Sequence, residues 1–342
     1  MKKLKAILSI IIIIGMLASG IWAVIYFSKD SENKKIVVTT FPIYDICVNI
    51  LGNDDEIMLL QDNGVDMHSY QPTVKDKTAI SQAELFIYIG GHSDDWVGDV
   101  IRTSDNVNMK NLSLIDCVDA LDESTDNIVS GDDHHHDHEH EHEHEHDSDC
   151  VVDEHIWLSV KNMIKMTEAI RDKLITVFPH IEQLLQENAT EYIDKLTEID
   201  MEFESKCAGK ETTIVLADRF PFLYLASDYG LNFVSAFSGC SSDSQASAEV
   251  VAGLIEQINN NSLNYICRLE TSDNSFASSV IGNNMCRDGV QIIELNSCQS
   301  VVSNNIASMS YIEIMKNNLK NIEKVLNNET NWVKEIKCWI WT

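Results

Sequence analysis

Apolar positions fall into two patterns along the chain, and the switch between them divides it. Short continuous apolar runs at IVVTT (36–40), EIMLL (56–60) and LFIYIG (85–90) read as buried strands. Helix-length stretches at Tyr44 to Leu51 and Val74 to Ala83 separate them, and this β-α-β-α alternation predicts a mostly parallel sheet flanked by helices. A polar, acidic shift from Asp116 to Ser130 closes the unit. From Ile156 the period becomes helical, with Trp157, Val160, Ile164, Ile170, Leu174 and Val177 leading to Pro179. A second stripe follows through Ile181, Leu184, Leu185, Ala189, Tyr192, Ile193, Leu196, Ile199 and Phe203 without an internal Gly or Pro. It predicts a rod of roughly 35 Å, stopped at Ala208-Gly209.

The alternation then repeats. TTIVLA (212–217), NYICRL (264–269) and QIIEL (291–295) are strand candidates, with helices at about Pro221 to Tyr229, Ala248 to Asn260 and Ser275 to Cys286. Tyr311, Ile314, Met315, Leu319, Ile322, Val325 and Leu326 predict a C-terminal helix, followed by an apolar tail with Trp332, Trp339 and Trp341. The expected fold is α/β: two lobes, each a mostly parallel sheet flanked by helices, joined by a long rigid helix. The divisions are a signal or anchor segment and stalk (1–35), an N-terminal lobe (36–130), a His-rich loop (131–150), the last helix of that lobe (151–180), a linking helix (181–209) and a C-terminal lobe (210–342). In such open sheets a ligand sits where strand ends face a cleft.

The N-terminus adds export. Lys2, Lys3 and Lys5 precede an uncharged apolar run from Ala6 to Phe27, whose 22 residues suffice to span a bilayer. Basic residues ahead of the span keep that end inside, so the remainder faces outward. The chain is expected at the cell surface, held by an uncleaved segment, or secreted after cleavage near Ala18-Ser19-Gly20. No Cys follows the run, which excludes a lipid-anchored Cys start.

Charge narrows the partners. With 25 basic against 54 acidic residues the net charge is −29, which argues against nucleic acid or an anionic surface and favours cations. Nine cysteines without a C-x-x-C give no thiolate zinc knuckle, and their odd number leaves at least one unpaired.

The strongest chemical signal is Asp132 to Asp147, DDHHHDHEHEHEHEHD. It carries eight of the twelve histidines, and eight acidic residues interleave with them. Imidazole suits Zn, Cu, Ni and Fe, so His134, His135, His136, His138, His140, His142, His144 and His146 offer many weak, overlapping capture sites for metal. Having no apolar residue, the tract cannot build a core. Its H-E-x-x-H matches lack the packed helix a metalloprotease needs. Four histidines remain outside. His68, in the turn-rich DNGVDMHSYQPT, and His155, in VVDEHIWLS, stand at element ends and are candidate metal ligands. His92, in GGHSDDW, reads as a loop histidine with a gate residue as the alternative, and His180, after Pro179 at a helix start, reads as a bland one.

The succession TTFPIYD (39–45), GVDMHSYQPT (64–73), AELFIYIGG (83–91) with Trp96, a His-rich loop and DEHIWLS (153–159) resembles the metal-binding solute-binding proteins of zinc and manganese ABC importers, the ZnuA-like group. The likeness continues through YLASDYGL (224–231), Arg268 to Glu270 and YIEIMKNN (311–318), covering almost everything from Ile36 onward. It implies one divalent ion held between the lobes by four side chains, with His68 and His155 as the first two. At the third, Arg219 stands where zinc members carry His and manganese members Glu, and arginine cannot ligate a cation. Asp218 is the substitute, and Asn296 and Gln299 are candidates for the fourth. Cys240 and Cys298 fall near the same mouth and are a candidate disulfide; one thiolate as a ligand is the alternative.

The expected function is a non-catalytic, monomeric receptor that captures a divalent metal and hands it to a membrane permease. Two imidazoles and a His-rich loop favour Zn2+ over Mn2+. A cell-surface zinc hydrolase would need an open coordination position and a general base such as Glu154. A storage or adhesion protein would use the tract alone.

Overall fold

The computed structural model describes residues 34–62, 64, 66–123, 128–129, 152–239, 246–300, 306 and 308–328. The eight tract histidines expected to capture metal, His134, His135, His136, His138, His140, His142, His144 and His146, lie outside the described residues. So do the N-terminal apolar run, Cys240 and the tail with Trp332, Trp339 and Trp341. Among the described residues no helix is long and apolar enough to cross a membrane.

The first sheet contains β1 (Ile36–Val38), β2 (Ile57–Leu59), β3 (Leu85–Tyr88) and β4 (Lys110–Ser113), all parallel in the order β2-β1-β3-β4. Its crossovers include α1 (Phe41–Leu51), α2 (Val74–Gln82) and α3 (Asp95–Thr103). Pro42 starts α1 and Gly52, at φ +79°, ends it by returning its N–H to Val48. Thr73 and Asp76 form a reciprocal capping box on α2. The second sheet repeats the order, β6-β5-β7-β8, with β5 (Thr213–Arg219), β6 (Asn232–Phe237), β7 (Tyr265–Leu269) and β8 (Gln291–Leu295), again all parallel. Around it lie α6 (Leu223–Tyr229), α7 (Ala248–Asn260), α8 (Ser275–Ile281) and α9 (Tyr311–Leu326).

Between the sheets run α4 (Val160–Val177) and α5 (Glu182–Cys207). The α5 stripe of Leu185, Ala189, Tyr192, Leu196, Ile199, Phe203 and Cys207 is buried, as the helical spacing requires. At 26 residues α5 is a rod of about 39 Å.

Three elements lie beyond the pattern reading: α3, β4 and β6. β4 is a polar edge strand of sequence KNLS, and α3 contains Gly98, so neither carries the apolar run that announces a buried element. The stretch expected as helix from Ile156 opens instead as a 3-10 turn, Ile156–Leu158, before Ser159 caps α4 by accepting from Asn162 N. Ile128 and Val129, at the end of the stretch assigned to the first lobe, pair with Ser235 on β6 of the second.

The lobes share one core. A single cluster runs from Ile36 and Val38 through Trp157, Tyr192 and Phe203 to Leu216, Tyr311 and Leu319. Polar bonds stitch the same seam. Trp157 Nε1 donates to Ser297 O at 2.8 Å, Tyr311 Oη donates to Trp157 O at 2.6 Å, and the first-lobe Asp45 carboxylate accepts from Tyr192 Oη at 2.6 Å and Tyr311 N at 3.3 Å. With buried groups paired across it, the interface behaves as interior rather than as a loose cleft.

Candidate metal centre

His68 and His155, 87 residues apart in sequence, meet with their Nε2 atoms 3.3 Å apart. Two nitrogens each about 2.0–2.1 Å from a tetrahedral zinc stand roughly 3.3–3.4 Å from each other. The rings are set edge to face, with centroids 5.2 Å apart and planes at 61°.

Local structure fixes each ring. His68 lies on a 3-10 turn, Met67–Ser69, just after β2, and Asp66 caps it by accepting from His68 N at 3.0 Å. Buried Met67 and Tyr70 pin the turn on both sides. His155 immediately precedes the turn Ile156–Leu158, all three of whose side chains are fully buried. Its Nδ1 lies 2.9 Å from Asp153 Oδ1, which also accepts from His155 N at 2.8 Å. This carboxylate sets the His155 tautomer with the proton on Nδ1 and a bare Nε2. On the other ring, His68 Nδ1 is 2.9 Å from Ser93 Oγ. Burial, the neighbouring His155 and the Arg219 cation together hold the His68 imidazole well below its ordinary pKa. It is therefore neutral and able to ligate in mildly acidic conditions.

The second lobe closes over the pair. Gly239, after β6, is packed so tightly that a Cβ would stand 2.7 Å from Phe220 O and 3.5 Å from His155 Cε1. Tyr224 Oη donates to Asp153 O at 2.8 Å and accepts from Leu121 N at 3.0 Å, tying α6 to the His155 segment. His155 is fully buried, whereas the His68 side chain retains 14% exposure, so access is from the His68 side.

The remaining candidates are placed less simply. The register of β5 slips between Leu216 and Arg219. At this bulge Asp218 turns into its own lobe, accepting from Arg219 N at 2.9 Å and Leu269 N at 3.2 Å. Arg219 reaches the other way and pairs with Asp66 Oδ2. Asp218 thus does not join the imidazoles, and among the described residues no third His, Cys, Asp or Glu does. Asn296 Oδ1 accepts from Cys298 N at 2.8 Å, which turns it onto its own loop. Gln299 is buried, and its neighbour Ser300 donates to Gly64 O at 3.0 Å, beside the His68 loop. Cys298 is a buried thiol whose pKa burial pushes far up, and its candidate partner Cys240 lies outside the described residues. His92 is exposed and pairs with Asp95, as a surface residue would.

Glu154 is only 1% exposed and lies on the Nδ1 side of His68, with Oε2 3.9 Å from that nitrogen. Behind the ring rather than on its Nε2 face, it is not placed to activate a metal-bound water. Ser93, Asp153 and the Asp66–Arg219 pair were absent from the sequence reading. Only the position of Asp153 two residues before His155 could have signalled any of them.

Two parallel α/β lobes fused through a long helix, with a pair of imidazoles at their seam, define a bilobal α/β fold with a candidate metal site. The chain belongs to the ZnuA family, zinc-uptake complex component A, periplasmic, whose model matches residues 36–325. It is 29% identical over 336 residues to the zinc-binding lipoprotein AdcA of Streptococcus pneumoniae, covering 96% of this chain and 62% of that protein. The high-affinity zinc uptake system protein ZnuA of Bacillus subtilis is 29% identical over 296 residues, covering 85% of this chain and 88% of that one. The Zn(II)-bound ZnuA-like domain of Streptococcus pneumoniae AdcA matches with a TM-score of 0.66 and 28% identity, over 85% of this chain and 98% of the domain. The chain therefore spans less than two thirds of the AdcA proteins it matches.

Proposed function

We propose that the chain is an extracytoplasmic receptor that captures Zn2+ between its lobes and delivers it to the membrane permease of an ABC importer. The observation that carries this reading is the convergence of two neutral, carboxylate- or hydroxyl-backed imidazoles at the separation of two ligands on one tetrahedral ion. The names of its relatives, a zinc-binding lipoprotein and a zinc uptake protein, support the same cargo. His68 and His155 are the first two ligands. With Arg219 turned onto Asp66 and Asp218 onto its own lobe, the remaining positions fall to the Gln299 amide and water. The apolar segment from Ala6 to Phe27 holds the chain at the outer membrane face, and the tract from His134 to His146 raises the local metal concentration beside the seam.

No catalytic role is assigned, because the buried Glu154 stands behind a ligand and not beside an open coordination position. The test is a zinc titration of the full chain against a competing chelator. One tight equivalent is expected, and it should vanish when His68 and His155 are replaced by Ala. A tight equivalent that survives the double replacement would remove this site.

A further inference from the structure

At the mouth of the site the second lobe presents a cation. Arg219 ends β5 and pairs with Asp66 Oδ2, while Asp66 Oδ1 accepts from His68 N at 3.0 Å. One carboxylate therefore links the guanidinium to the His68 turn. The residue after Arg219 borders the other ring: Phe220 O and His155 Cε1 lie 2.7 and 3.5 Å from the point where Gly239 would carry a Cβ. Arg219 is thus held between the two imidazole-bearing segments and, like His68, is partly open to solvent.

This arrangement leaves two needs unmet. Zinc sites take four ligands, and the imidazoles supply two of them; among the described residues no further His, Cys, Asp or Glu joins the pair. A guanidinium carries several N–H donors in one plane, and among the described residues only the Nη2 bond to Asp66 engages the Arg219 side chain. The metal lacks oxygen ligands and the arginine lacks acceptors, so one anionic molecule can answer both. A carboxylate matches the planar arginine fork with two parallel bonds, and a second oxygen group on the same molecule can take the place of water on zinc.

We propose that the cargo is bound as the zinc complex of a small chelating carboxylate, with His68 and His155 on the metal and Arg219 clasping a carboxylate of the chelator. No covalent bond changes: the two imidazole nitrogens replace two waters on the complexed ion. Arg219 keeps Asp66 on one edge of its fork and offers the other to the anion. The arginine thereby selects the form in which zinc is taken, since its charge disfavours the bare dication and favours the chelate. This inference rests on the proposed metal site.

The test is equilibrium dialysis of the full chain against radiolabelled citrate, with and without one equivalent of Zn2+. The zinc and citrate held by the double variant His68→Ala/His155→Ala measure what the rest of the chain retains and are subtracted. Wild type is expected to retain one citrate per zinc, and citrate should bind at least about tenfold more weakly when zinc is left out. Arg219→Ala should keep its zinc and bind citrate at least about tenfold more weakly, the loss of one charge-assisted interaction. Should that variant lose zinc, Arg219→Lys, which keeps a cation for Asp66 without the planar fork, is read in the same way. Phosphate, which has no second carboxylate to span metal and guanidinium, should be retained at least about tenfold more weakly than citrate. Zinc retained without citrate, or citrate held equally by wild type and a zinc-holding Arg219 variant, would overturn the chelate while leaving the metal site standing. Phosphate held as tightly as citrate would overturn the assignment to a chelating carboxylate. A wild type that holds no more zinc than the double variant would remove the metal site itself.

Discussion

Arg219, at the end of a second-lobe strand, forms an ion pair with Asp66 of the first lobe, two residues before His68. Both side chains are about one fifth exposed, so the pair lies at the rim of the buried imidazole site. A fixed guanidinium beside a dication site opposes binding, and its partner Asp66 offsets that only in part. The bulge in β5 is what aims Arg219 here and Asp218 away.

Replacing Arg219 should therefore strengthen metal binding. Arg219→Ala is expected to raise zinc affinity about fivefold, equivalent to an interaction on the order of 1 kcal/mol at a partly solvated site. The gain should shrink in high salt. Isothermal titration at two ionic strengths measures both, and an affinity that falls on removing the cation would show that the ion pair holds the site together.

The two imidazoles should be individually indispensable. His155→Ala and His68→Ala are each expected to cost more than the roughly 10- to 100-fold typical of an outer partner, whereas Asp153→Asn should fall inside that range. Chelator competition ranks the three. Equal losses would mean that Asp153 ligates the metal itself.

Metal held by the tract and metal held at the seam should part on acidification. The tract histidines are expected to protonate near the ordinary imidazole value of about 6.5 and to release metal as the pH falls through it. Burial, His155 and Arg219 depress the His68 pKa, so its Nε2 stays available at a lower pH. Deleting Asp132 to Asp147 should remove the first release step and leave the second. A pH-jump with a zinc-sensitive dye resolves the two steps, and loss of both on deletion would make the tract part of the tight site.

Stability without metal should carry the signature of Asp45. Burial raises its carboxyl to about 6, against the lowering effect of the Tyr192 and Tyr311 hydrogen bonds. Its pKa is higher folded than unfolded, so its favourable contribution is complete below about pH 4 and is lost as pH rises through 6, on the order of 3 kcal/mol by pH 7. Asp45→Asn removes this decline. The variant should be more stable relative to wild type at pH 7.5 than at pH 4.5, as read by urea denaturation. A difference independent of pH would mean that Asp45 stays ionised throughout.

Local pattern determined a great deal of this protein. Apolar runs located β1, β2, β3, β5, β7 and β8, and the unbroken stripe from Ile181 to Phe203 specified the joining rod because 3.6-residue periodicity is a property of the chain alone. His68 and His155 were legible as candidate ligands, since each sits in a turn beside an apolar element. What the chain could not reveal is direction. Whether Asp218 or Arg219 faces the seam depends on a one-residue register slip against β6, Glu154 meets His68 only because the Gly90-Gly91 loop folds over it, and the lobes fuse because Trp157 and Tyr311 bury across their boundary. Such choices are made by partners far away in sequence, so only the tertiary structure decides them.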